Sequence, residues 1–269
     1  MAVQVASETH LAGLRPHDLE ILLNGLPLAE KAQNVDYNLD LVRRLGASFC
    51  KTDLLAHYLS DSALLDEIAT RSYRHVNHFD KIVLVDSGER LGYRLTLHLW
   101  CPPYTEKELR DELIHDHRFS FWSTILTGRL VSENFSPAAD GMAAAAEPVT
   151  TYRRYRYSPE KKGVTTHTNF YEFTGEAPLG MVGESVELQG SAYHLEYRRI
   201  HRVILPRESM TCTLVLRGPR ERAFSNVYNT AYPSMDTQSG NSMFSRHELA
   251  AKLRDLQAVV GGDPGAAGV

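Results

Sequence analysis

Cysteine is scarce: Cys50, Cys101 and Cys212 stand far apart in 269 residues, with no CxxC spacing. That excludes a disulfide framework and a thiolate zinc site, and leaves three small buried hydrophobes as the expected role. Charge of one sign is lacking too. With 29 Lys and Arg against 33 Asp and Glu, the formal net charge is −4, so no overall field favours nucleic acid or an anionic membrane. Basic residues cluster at Arg153-Arg154-Tyr155-Arg156, but alternation along a strand would split them between two faces. No segment approaches the ~18 consecutive apolar residues of a membrane helix, and no charged leader precedes an apolar run. The expectation is a cytoplasmic protein whose partner is a small molecule rather than nucleic acid or membrane.

What the chain does carry is periodic. Residues 16–23 have apolar side chains at helical spacing and stop at Asn24-Gly25, and Leu39, Leu41, Val42 and Leu45 repeat the pattern before Gly46. Further helices are expected over about 51–59, and from Ser60 or Asp61 through Leu64, Leu65 and Ile68. Near Val76 the period changes to two. Residues 81–86 form an apolar run ended by Ser87-Gly88, and over 92–100 Tyr93, Leu95, Leu97 and Leu99 alternate with Arg94, Thr96, His98 and Trp100. Further strand candidates are 120–126, 150–157, 164–173, 193–197, 201–205 and 211–216, and 136–148 reads as a loop or small helix. Many short strands without intervening helices imply a sandwich, jelly roll or barrel. Ser245-Arg246-His247-Glu248 has the capping-box pattern that opens a helix, which ends before Gly261-Gly262 and a tail expected to be mobile. The fold class is therefore mainly β: a helical segment over 1–75, a β-barrel with the functional site over 76–235, and a C-terminal helix with its tail over 236–269.

The chemistry concentrates at His115-Asp116-His117. In an extended strand, side chains at i and i+2 share a face about 7 Å apart, and a modest twist lets both imidazoles reach one ion. Ile200-His201-Arg202-Val203 offers a third histidine in another apolar run, with His194 and His167 as rivals. A site of His115, His117 and His201 would leave part of the coordination sphere open, as metal catalysis requires.

Residues 92–131, with a Leu-Trp strand end, a loop, Ile-His-Asp-His and an apolar strand closing on Leu-Thr-Gly-Arg-Leu, resemble the cupin superfamily, above all its branch of cysteine dioxygenase and related thiol dioxygenases. Ile200-His201-Arg202-Val203 resembles that branch's second motif. The resemblance implies a cupin-type small β-barrel of jelly-roll form that holds Fe(II) through His115, His117 and His201, with O₂ and substrate in the open positions. Departures are specific. Phe121 and Trp122 stand where most cupins carry a glutamate, and Trp122 also where some thiol dioxygenases carry a crosslinking cysteine. Thr213, Val215 and Arg217 replace the Ser-His-Tyr relay, and Ile82, beside Lys81, replaces the carboxylate-binding arginine. The scaffold and metal site carry over; the substrate pocket does not.

Strand parity supplies candidates around the metal. His98, Tyr193 and Tyr197 are candidate catalytic groups, and Arg94, Arg199, Phe119 and Phe121 candidate pocket residues, with Phe119 and Phe121 inward and Trp122 on the other side. The function expected is a non-haem Fe(II)-dependent, 2-oxoglutarate-independent oxygenase or oxidase of a small polar metabolite. The alternatives are a non-redox metalloenzyme holding Zn²⁺ or another divalent ion, and a metal-poor binding protein.

Overall fold

Along Arg94–Trp100, the leucines at 95, 97 and 99 turn one way and Thr96, His98 and Trp100 the other, and this alternation sets the layering. The computed structural model describes residues 14–26, 35–50, 53–88, 92–138, 148–158, 171–231 and 243–261. Four helices come first: α1 (Pro16–Asn24), α2 (Val35–Phe49), α3 (Leu54–Ser60) and α4 (Ser62–Ala69). The strands are β1 (Tyr73–Arg74), β2 (Asp80–Asp86), β3 (Arg94–Trp100), β4 (Ile114–His115), β5 (Phe121–Thr127), β6 (Arg129–Pro137), β7 (Thr150–Tyr157), β8 (Tyr171–Leu188), β9 (Ala192–Leu195), β10 (Ile200–Ile204), β11 (Thr211–Arg217) and β12 (Ser225–Asn229), followed by α5 (Arg246–Val260).

One antiparallel sheet has the order β1-β2-β3-β11-β5-β9; the other, β10-β4-β12-β7-β8-β6, closes on itself. The mainly β fold of jelly-roll type, with helices before the barrel and one after it, is thus the architecture observed. The leucine side of the open sheet, with Trp122, Leu126, Leu214 and Leu216, forms the main core against all five helices. Each leucine removed from water there contributes about 1.5 to 3 kcal/mol. The opposite face presents Thr96, His98, Thr213 and Ser123 to the barrel interior, where Trp100 and Ile125 pack with Phe79 and Leu205. Among the described residues no helix is long and apolar enough to cross a membrane.

Local chemistry explains most boundaries. Asp61 caps α4 by accepting from the Ala63 and Leu64 amides at 3.0 Å each. Ser245 and Glu248 close the capping box of α5, at 3.2 and 2.7 Å. Gly46 does not stop α2, contrary to the sequence expectation. A Cβ there would lie 2.4 Å from Cγ2 of Thr124, so the glycine lets the helix ride directly on β5.

Several strands depart from expectation. β8 runs on to Leu188 instead of ending at residue 173, because Gly175 and Gly183 sit beside register shifts against β7 and β6 and let one long strand bend between two partners. β6 and β12 were not expected: Ser225-Asn226-Val227-Tyr228-Asn229 has too few apolar side chains to alternate. β9 ends at Leu195, so 193–197 does not stay extended. Most of 164–173, the stretch 139–147, His167 and the tail after Gly261 lie outside the described residues.

Candidate metal centre

β4 contributes only two residues as strand, yet the chain stays extended through His117 because its neighbours change. His115 faces His201 across the β4–β10 ladder and Val227 across the β4–β12 ladder. The Asp116 amide then donates to the Asn226 carbonyl at 3.1 Å, and the His117 amide to the Tyr197 carbonyl at 2.8 Å. The i, i+2 geometry survives: the rings of His115 and His117 are 4.8 Å apart, and His201 lies 4.7 and 5.1 Å from them.

One nitrogen from each ring lies within 4.8 Å of the other two. Bonds of ~2.1 Å to a common ion allow at most ~4.2 Å between two ligand atoms, so slight closure of the rings completes a site. The proton placement suits this. Leu113, at the positive φ of 52°, directs its carbonyl onto Nδ1 of His115 at 2.7 Å, and the Arg199 carbonyl lies 3.2 Å from Nδ1 of His201. A carbonyl only accepts, so each Nδ1 holds the proton and each Nε2 offers a lone pair. Nε2 of His117 is buried without a hydrogen-bond partner, and Nδ2 of Asn77 donates to Nε2 of His115 at 3.3 Å. The residues fit a divalent ion held by three neutral imidazoles.

The intervening Asp116 is buried and points away from the three rings. It accepts from the Asn226 amide and from Nδ2 of Asn226, both at 2.6 Å, and forms a short ion pair with Arg222. Arg222 also donates to the His117 carbonyl at 2.8 Å. Burial raises the Asp116 carboxyl above its ordinary value, and the Asn226 and Arg222 donors oppose this. Together these contacts fix the backbone that carries both ligands. Neither Asn226 nor Arg222 stands near a histidine in sequence, so only topology reveals them.

Electrostatically the interior keeps histidine neutral. Burial pushes His201 down to about 3, and lowers His115 and, further still, His117, His75 and His98. Nδ1 of His75 accepts from the Asn77 amide at 3.2 Å, which places this ring's proton on Nε2. His75 and Asn77 escaped the sequence reading because each is an isolated polar residue; Lys81 entered it only as the neighbour of Ile82.

The expected pocket residues separate into two groups. Phe119 and Phe121 flank His117, with rings 5.7 and 5.1 Å from it, and Tyr193 lies 6.2 Å from Phe121. Burial raises the Tyr193 phenol to about 12, although the Ser123 hydroxyl opposes this. His98 faces the interior against Phe79, 4.3 Å ring to ring. Arg94 shares that side but is paired with Asp86 at 2.7 Å. Tyr197 sits in the turn after β9, packed against Arg222 and accepting from Arg198 at 2.7 Å; Arg199 is exposed, its carbonyl bonds His201, and its charge also lowers that imidazole. Trp122 faces the helices, and His194 stacks on it at 5.1 Å, away from the three histidines.

The fold and the site define a mainly β barrel protein with a convergent three-histidine cluster. No family model matches the chain and no curated protein matches it. Distant likenesses to solved structures exist. Hydroxypropylphosphonic acid epoxidase from S. wedmorenis has 8% identity and a TM-score of 0.30, covering 54% of this chain and 53% of its own. Hydroquinone 1,2-dioxygenase PnpCD has 16% identity and a TM-score of 0.29, with coverage of 58% and 71%. Tomato vicilin has 14% identity and a TM-score of 0.33, with coverage of 71% and 43%. The chain thus spans about half the length of the epoxidase.

Proposed function

We propose that the protein is a metal-dependent enzyme whose centre is His115, His117 and His201, and that it is an Fe(II)-dependent, 2-oxoglutarate-independent oxygenase or oxidase of a small polar metabolite. The observation that carries this reading is that one ring nitrogen from each of His115, His117 and His201 lies within 4.8 Å of the other two, with Nδ1 of His115 and of His201 each bonded to a carbonyl so that Nε2 offers a lone pair. When bound, Fe(II) would supply the one-electron chemistry that O₂ requires, and three uncharged ligands leave its full positive charge for substrate. The chain's own residues do the rest. Phe119 and Phe121 wall the site with apolar surface and keep water from it. Tyr193 stays protonated and offers an O–H donor from β9, and His75 holds its proton on Nε2.

Metal analysis of anaerobically purified protein, followed by oxygen-uptake screening of thiols, amino acids and small acids, tests the reading. Stoichiometric iron with substrate-dependent O₂ consumption is the expected result. Zinc with anaerobic turnover would select the non-redox metalloenzyme, since the same ligand set suits Zn²⁺ with a water. No stoichiometric metal would sink both.

A further inference from the structure

The interior face of the open sheet carries positive charge that three metal ligands do not use. Lys81 stands opposite His98 and His98 opposite Thr213, while Arg217 stands opposite Arg94 and Phe121. Alternation therefore puts Lys81, Thr213 and Arg217 on the same side as His98, facing the barrel interior. Arg217 is 6% exposed, and its guanidinium lies 5.0 Å over the Phe119 ring, whose other neighbour is His117. One Nη2 of Arg217 donates to the Gly92 carbonyl at 2.5 Å, but Nε is buried without a partner. Oγ1 of Thr213, a residue 1% exposed on the same strand, is likewise buried and unpartnered.

No described carboxylate bonds the Lys81 ammonium, and Asp86, the one acid acting on it, is engaged by Arg94. Burial, then Arg217, Arg94 and Arg118, push Lys81 down to about 7, and burial with Arg94 pushes Arg217 down to about 9. Buried donors and like charges that outnumber the acid beside them, Asp86, are costly in an empty protein and suited to a bound oxyanion. Lys81 stands directly opposite His98 across the β2–β3 ladder, beside the imidazole cluster, and its charge lowers both His75 and His98.

We propose that Lys81 and Arg217 form an oxyanion subsite beside the metal centre, so that the substrate is a small acid whose carboxylate or phosphate-type group binds there while another donor faces the metal. This rests on the reading of His115, His117 and His201 as the metal centre. The test titrates metal-free and Zn²⁺-loaded protein with inorganic phosphate and, separately, succinate, followed calorimetrically, with metal content measured on the same samples. Saturable binding of at least one probe to the metal-free wild type is expected. Lys81→Met and Arg217→Gln should each weaken it at least tenfold, and Arg207→Gln, on the surface, should leave it unchanged. Preference for phosphate assigns a phosphate-type group, and preference for succinate a carboxylate. If neither probe binds saturably, or Lys81→Met binds like wild type, the subsite is overturned. Should Arg217→Gln fail to fold, Lys81→Met decides alone. Wild type that takes up metal but binds neither probe refutes only the subsite, whereas wild type that binds a probe but takes up no metal refutes only the metal centre.

Discussion

Asp116 and Asn77 act on the metal ligands in opposite ways. Asp116 satisfies Arg222 and both donors of Asn226, so Asp116→Ala leaves a guanidinium unpaired in a partly buried place. A loss of about 3 to 5 kcal/mol is expected in denaturant unfolding, with metal affinity reduced about 10- to 100-fold as the ligand backbone loosens; unchanged stability would contradict the lock. Asn77, in contrast, competes for the Nε2 lone pair of His115, so Asn77→Ala should bind metal at least as tightly as wild type in a competition titration, and a tenfold loss would make Asn77 a supporting residue instead. At this scale the three histidines were legible because two share one motif and the third sits in a recognisable apolar run. Asn77, Asn226 and Arg222 were not, since an isolated polar residue gains meaning only from what the topology brings beside it.

Elements were legible where their burial is one-sided. β3, β11 and the helices that pack on it alternate or repeat cleanly because one face meets the main core and the other does not. β8 was illegible past residue 173 because its glycines bend a continuous strand between two partners, and β12 because its side chains are mostly polar. Gly46 misled for a related reason: glycine marks close approach here, not termination. Replacing it by Ala gains helix propensity of about 1 kcal/mol but drives a methyl against Thr124. A net loss of about 1 to 3 kcal/mol is expected. Thr124→Ser removes the clashing Cγ2 and keeps the hydroxyl that donates to the Ser191 carbonyl, so it should restore much of that loss. Additive losses in the double variant would show that the contact does not set the height of α2. On β5, Phe121→Ala should cost about 3 kcal/mol for a ring only 8% exposed and shift substrate preference more than metal affinity, while an unchanged profile would place Phe121 outside the pocket.

Taken whole, the molecule keeps its interior histidines neutral, and that has a pH signature. His75, His98, His115, His117 and His201 all titrate below 6.5 when folded, with His201 at about 3. Between those values and ~6.5 the unfolded chain binds more protons, so metal-free protein loses stability progressively as pH falls from ~6.5, and these groups contribute no slope above it. Urea midpoints should fall from pH 8 toward ~7, where Lys81, at about 7 when folded, binds fewer protons than in the unfolded chain, and fall again below ~6.5 through the imidazoles; a midpoint that stays level from ~6.5 to pH 4 would mean the imidazoles are solvated or paired. The centre itself is tested most directly by X-ray absorption on stoichiometrically Fe(II)-loaded protein. Three imidazole nitrogens at ~2.0 to 2.2 Å, completed by light oxygen scatterers, are the expected inner shell. A shell with fewer than two imidazoles, or one containing sulfur, would contradict it.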